Sequence, residues 1–198
     1  EVRIQRLELL GTPEALAHEY MRLAESYGRL GRADLAVDAA ERALARDPAN
    51  ASIREALDSA LVRLGRHTER VRLWLVEANS ERSAGVRVAA FLRAADVAHR
   101  LLDRHDQAIE ALRAAWLVAP GHPEVFDMLT ALLRSGPKSE ATELRAAEAR
   151  IDLYAQAAKV EADRERKIAL HEKVLGIVED ELDRPEQAIE VAESILAI

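Results

Sequence analysis

Apolar residues recur with a period near 3.6 along almost the whole chain. Tyr20, Leu23, Ala24, Tyr27 and Leu30 mark one helix face, and Val86, Ala89, Ala90, Leu92 and Val97 are spaced similarly. Long stretches of apolar–polar alternation, the signature of strands, are lacking. Breakers divide the pattern into elements. Thr12-Pro13-Glu14 reads as a helix start, because the Thr12 hydroxyl can accept a backbone N–H and Pro13 stands where no donor is needed. Asp47-Pro48, Ala119-Pro120-Gly121-His122-Pro123 and Gly136-Pro137 punctuate the rest. The pattern predicts helices near 2–10, 13–30, 33–46, 50–64, 67–79, 83–102, 105–119, 123–135, 138–160, 163–182 and 185–197.

The junctions between these helices repeat. Leu30-Gly31-Arg32, Leu64-Gly65-Arg66, Leu102-Asp103-Arg104 and Leu182-Asp183-Arg184 each place a residue suited to left-handed or capping geometry between a helix end and an arginine. The leucines are 34, 38 and 80 residues apart, and the last interval holds a weaker junction at Ser135-Gly136-Pro137. A helix hairpin repeating about every 34 residues buries its apolar faces only by stacking on its neighbours.

Ala17 to Asn50 resembles the tetratricopeptide repeat. Tyr20, Leu23, Ala24 and Tyr27 match its first helix, Gly31 its turn, Ala36, Ala40, Ala43 and Leu44 its second helix, and Asp47-Pro48 its close. The segment carrying Leu175-Gly176, Ala188, Ala192 and Leu196 is similar, and Leu112, Ala115, Trp116 and Pro120 keep the third repeat in step. The second and third repeats depart from the pattern. Arg70 stands where a small residue is expected, and Asp58 and Asp96 replace small packing residues. The resemblance covers about 13–135 and 165–198, while 138–164 fits only as longer helices. It implies an all-α, right-handed solenoid of antiparallel helix hairpins, four to five repeats in a single domain over 1–198. Residues 1–12 would be the trailing helix of a preceding repeat.

Composition narrows the chemistry. The 198 residues contain no cysteine, which excludes disulfides, thiolate metal sites and a cysteine nucleophile. A net charge of −7 argues against a surface built for nucleic acid or anionic lipid. Of 28 basic residues only Lys138, Lys159, Lys167 and Lys173 are lysine; with Ala so common, this suits a GC-rich bacterial genome. No apolar run approaches the roughly 18–20 residues that span a bilayer. Glu1-Val2-Arg3-Ile4 resembles neither a signal peptide nor a start of synthesis, so a piece of a longer array is expected; the compartment is left open, with the cytoplasm favoured.

No catalytic set emerges. The histidines at 18, 67, 99, 105, 122 and 171 are scattered, and His18-Glu19 and His171-Glu172 lack the second histidine four residues on that a zinc-protease helix needs. They are expected to face solvent. Glu179-Asp180-Glu181 and Asp183 read as a solvated helix end, and the isolated glycines form no phosphate cradle. Tyr20, Tyr27, Trp74, Phe91 and Trp116 occupy packing positions, whereas Phe126 is expected on the inner face. No metal, cofactor or enzyme activity is expected.

In the family that the first repeat resembles, the first helix of each hairpin lines a concave groove that takes a peptide or helix of another protein. The groove-facing sets implied here are Met21, Glu25 and Arg29; Glu55, Ser59 and Arg63; Arg93, Val97 and Arg100; and Phe126, Thr130 and Arg134. Lys173, Ile177 and Asp180 would continue them. The arginines could meet an acidic partner segment bidentately. Met21, Glu25 and Ala94 occupy places where some relatives carry a Lys–Asn clamp for a chain terminus, so that clamp is not expected. The chain is thus expected to be a protein-interaction scaffold. The alternatives are a module for oligomerisation or packing through its ends and 138–182, or a regulatory domain attached to an enzyme outside this stretch.

Overall fold

The computed structural model describes residues 12–136 and 140–198. Among these residues every regular element is helical. They are α1 (Pro13–Arg29), α2 (Ala33–Arg46), α3 (Ala51–Arg63), α4 (His67–Ser80), α5 (Ala84–Arg100), α6 (His105–Val118), α7 (Pro123–Ser135), α8 (Glu140–Val160), α9 (Arg164–Gly176) and α10 (Pro185–Leu196). A π-helical turn, Ile177–Glu181, prolongs α9. The expected helix at 2–10 lies outside the described residues. The fold is an all-α series of helix hairpins. Packing divides the chain into two compact units, with the division between Val76 and Glu77 inside α4.

The junction chemistry works as the sequence implies. Gly31 (φ 72°), Gly65 (φ 65°), Asp103 (φ 52°) and Asp183 (φ 49°) all adopt the left-handed conformation. At the two glycines the turn closes as a Schellman motif. Arg32 N–H donates to the Tyr27 carbonyl at 2.9 Å and Gly31 N–H to Gly28 at 3.2 Å; Arg66 and Gly65 repeat the pair on Leu61 and Val62 at 3.0 and 3.1 Å. At the aspartates the closure is one residue wider, from Arg104 to Ala98 and from Arg184 to Val178. Helix starts are also local. Thr12 Oγ1 accepts from Ala15 N–H at 3.3 Å, and Asn50 Oδ1 accepts from Ser52 and Ile53 at 3.1 and 3.3 Å.

In the first unit Ala24, Ala36, Val37, Ala39 and Ala40 of α1 and α2 pack with Leu57, Ala60, Leu61 and Leu73. Small residues on α1 and α2 let the backbones approach, and α3 then covers the α2 face. Leu16, Ala17, Tyr20, Ala43 and Ile53 form a second cluster. The unexpected Asp58 and Arg70 face each other. Arg70 donates from Nε and Nη2 to the Asp58 carboxylate at 2.8 and 3.1 Å, and Trp74 Nε1 adds a third bond at 3.0 Å. A small-residue contact between the two helices of this hairpin is thus replaced by a hydrogen-bonded ion pair. Asp96, by contrast, pairs along its own helix with Arg100 at 2.8 Å.

In the second unit Val88, Phe91, Ala94, Ala95 and Ala98 of α5 are buried, as are Ala108, Ala111, Leu112, Ala115 and Trp116 of α6. A further cluster joins Ala147 and Tyr154 of α8 to Val174, Ile177, Val178 and Ala188. The single helix expected over 163–182 changes to π geometry at Ile177. Glu181, expected in solvent, accepts from both terminal nitrogens of the buried Arg150, with Arg150 Nη1 at 3.1 Å. A buried guanidinium without an acceptor would be costly, which explains why this carboxylate is held.

Candidate functional site

Helices α1 and α3 lie side by side, and their last two turns leave an open cleft of about 370 Å³. Ala24, Ala36 and Ala56 supply small apolar lining, and Glu25, Gly28, Arg29, Ser59 and Arg63 complete it. Glu25 and Arg29 are one turn apart on α1, and Ser59 and Arg63 one turn apart on α3, so each pair shares a helix face. Gly28 has a specific place in this geometry. A Cβ built there would stand 3.1 Å from Arg63 Nη2, so the guanidinium of α3 lies against bare α1 backbone. The contact of Gly28 with residue 63, thirty-five positions on, comes from tertiary packing.

The charges on α1, α3 and α4 are unequally satisfied. Asp58 is engaged by Arg70 and Trp74, Glu69 by Arg66, and Glu19 by Arg22. Among the described residues no ion-pair partner is found for Arg29 or Arg63, although each is exposed. Both occupy the last turn of a helix, where a cation also complements the helix dipole. The hydrogen bonds that Arg66 donates to Glu69 raise the pKa of Arg66, and Tyr20 followed by Asp38 raises that of Arg42, so both stay cationic.

The other groove-facing expectations fare differently. Met21 is half-buried against the Leu16–Tyr20 cluster. Arg93 and Arg100 are exposed on α5, Arg100 being held by Asp96. Val97 is only 4% exposed and belongs to the core, not to a groove. Phe126 likewise packs inward, its ring 6.0 Å from Trp116 and 5.6 Å from Tyr154. Arg134 stays exposed and donates to the Tyr154 hydroxyl at 3.4 Å. Ile177 is buried, and Lys173 stands over the Tyr154 ring at 5.5 Å. The expectation that histidines face solvent fails at the α5–α6 junction. His99 and His105 meet edge to face with centroids 5.8 Å apart, and His105 Nε2 donates to the Leu132 carbonyl at 2.8 Å.

Among the described residues no group of three or more His, Asp or Glu could hold a metal, and no helix is long and apolar enough to cross a membrane. Comparison with known families places the first hairpin. The family profile of the tetratricopeptide repeat matches residues 18–50, which comprise most of α1, all of α2 and the Asn50 cap. Residues 18–50 are a tetratricopeptide repeat within an all-α chain of helix hairpins. Its tetratricopeptide hairpin supplies two of the three helices that form or floor the cleft, α1 and α2. No curated protein matches the chain. Among solved structures it is similar to the MamA protein, at 16% identity and TM-score 0.44 over 91% of this chain and 90% of that one. It is also similar to a thermophilic TPR protein of Thermus thermophilus, at 23% identity and TM-score 0.33 over 89% and 98%.

Proposed function

We propose that this chain is a non-enzymatic protein-interaction scaffold that takes a peptide segment of another protein into the cleft between α1 and α3. The observation that carries the reading is the cleft itself. It is open along one side, has an alanine-lined floor, and presents charged and hydroxyl groups at its rim, as a site for an extended segment requires. The tetratricopeptide match supports protein binding as the general role. Arg93, Arg100 and Arg134, exposed on the second unit, are proposed to contact the same class of partner. A random peptide library displayed on phage and selected on the full chain tests this. Enriched sequences should bind the wild type and lose binding to Ser59→Trp, which fills the cleft from an exposed position. Equal binding to a folded Ser59→Trp variant, or no enrichment at all, would reject the cleft as a peptide site.

A second reading, self-association, has one specific observation behind it. On α10, Ile189 is 61% exposed and Leu196 87% exposed. Their equivalents in the first repeat are Val37, which is buried, and Leu44, which packs against the core. Sedimentation at rising concentration tests it: an unchanged monomer mass removes the reading.

A further inference from the structure

We propose that Arg29 and Arg63 form a binding site for a side-chain carboxylate at one end of the α1–α3 cleft, and that Gly28 keeps this site open. The inference rests on the cleft being the peptide site and specifies the chemistry of its occupant: a mid-chain segment carrying Asp or Glu. Three observations converge. Both guanidiniums line one cleft, contributed by two different helices. Neither has an ion-pair partner among the described residues, while Asp58, Glu69 and Glu19 pair with Arg70, Arg66 and Arg22. That leaves two cations to one carboxylate, Glu25, among the lining residues, on a chain whose net charge is −7.

Gly28 links the two halves. A Cβ at residue 28 would stand 3.1 Å from Arg63 Nη2, so the bare glycine gives the guanidinium room against α1 while it stays exposed to solvent. A planar donor fork held there suits a carboxylate that enters from solvent beside it. Glu25, one turn from Arg29, offers an acceptor for a backbone N–H, and a mid-chain segment supplies such groups on either side of its acidic residue. Helix α1 keeps a glycine in its last turn at a conformation that any residue could adopt, against its own propensity. Room for Arg63 is a reason for it.

The test titrates the full chain with N-acetyl hexaglutamate amide and follows the Nε–Hε resonances of Arg29 and Arg63. Parallel arms use the matching hexaglutamine amide and hexaglutamine with a free C-terminus. Hexaglutamate amide should shift both arginines, and neither hexaglutamine probe should. Arg63→Gln should weaken hexaglutamate binding about tenfold, the loss of one charge-assisted contact. Gly28→Leu should weaken it at least as much without lowering the thermal midpoint, a combination that a merely structural glycine would not produce. If Gly28→Leu does not fold, Gly28→Ala should give a smaller loss in the same direction. Equal responses to hexaglutamate and hexaglutamine, a response only to the free terminus, or unchanged binding in Arg63→Gln would overturn the carboxylate site. Peptides without Asp or Glu enriched by display would reject this site but leave the scaffold reading standing. A hexaglutamate response lost in Arg63→Gln, with no peptide enriched, would do the reverse.

Discussion

Asp58 and Arg70 hold α3 to α4 through a two-pronged ion pair, with N···O distances of 2.8 and 3.1 Å. The two side chains are about equally sheltered, at 15% and 14% exposure, and Trp74 Nε1 completes the group. Both residues stand where the repeat pattern favours small side chains. They are a matched substitution rather than two separate defects.

That coupling has a measurable consequence. Asp58→Ala leaves a sheltered guanidinium and an indole N–H without their acceptor and should cost about 2–4 kcal/mol. The double variant Asp58→Ala with Arg70→Ala should be at least about 1 kcal/mol more stable than the sum of the two single changes implies. Urea denaturation of the four proteins measures the cycle; additive midpoints would mean the pair contributes nothing as a unit.

Ala36 is 2% exposed and packs in the core that α2 shares with Ala24 of α1. Ala36→Leu should therefore overpack the first hairpin, at about 1–3 kcal/mol. Arg32→Leu, on the exposed junction beside it, should stay within about 0.5 kcal/mol. Chemical denaturation that ranks the two changes equally would show that the hairpin register is wrong.

Two neighbouring glycines should respond with opposite signs. Gly28 lies inside α1, and its Cβ would meet only the mobile end of Arg63, so Gly28→Ala should stabilise by about 0.4–1 kcal/mol. Gly31 has φ 72° in the Schellman turn, so Gly31→Ala should destabilise by about 1–2 kcal/mol. Melting temperatures moving in the same direction would contradict the backbone geometry.

Phe126 belongs to an aromatic row with Trp116 and Tyr154. Phe126→Ala should cost about 2–4 kcal/mol through lost packing. The near-ultraviolet circular dichroism of the Trp116 environment should change with it. A stable variant with an unchanged spectrum would return Phe126 to the surface.

Helix positions, caps and turns were legible in the sequence because the forces that set them are local. Thr12 and Asn50 cap the residues that immediately follow them, and Gly31, Gly65, Asp103 and Asp183 each take the left-handed conformation at a helix end. The register of the first hairpin was equally legible, since alanines at 36, 40 and 43 declare a close helix contact by spacing alone. The cleft residues Glu25, Arg29, Ser59 and Arg63 follow from that register, as they share helix faces at four-residue spacing. Tertiary structure alone decided which side chains from different elements meet. Asp58 and Arg70 are twelve residues apart, His105 and Leu132 twenty-seven, and Arg150 and Glu181 thirty-one. Nothing local distinguishes these pairings from solvated charges. Val97 and Phe126 were misplaced for the same reason: helical period gives a face, but only the packing of neighbouring helices decides whether that face is covered.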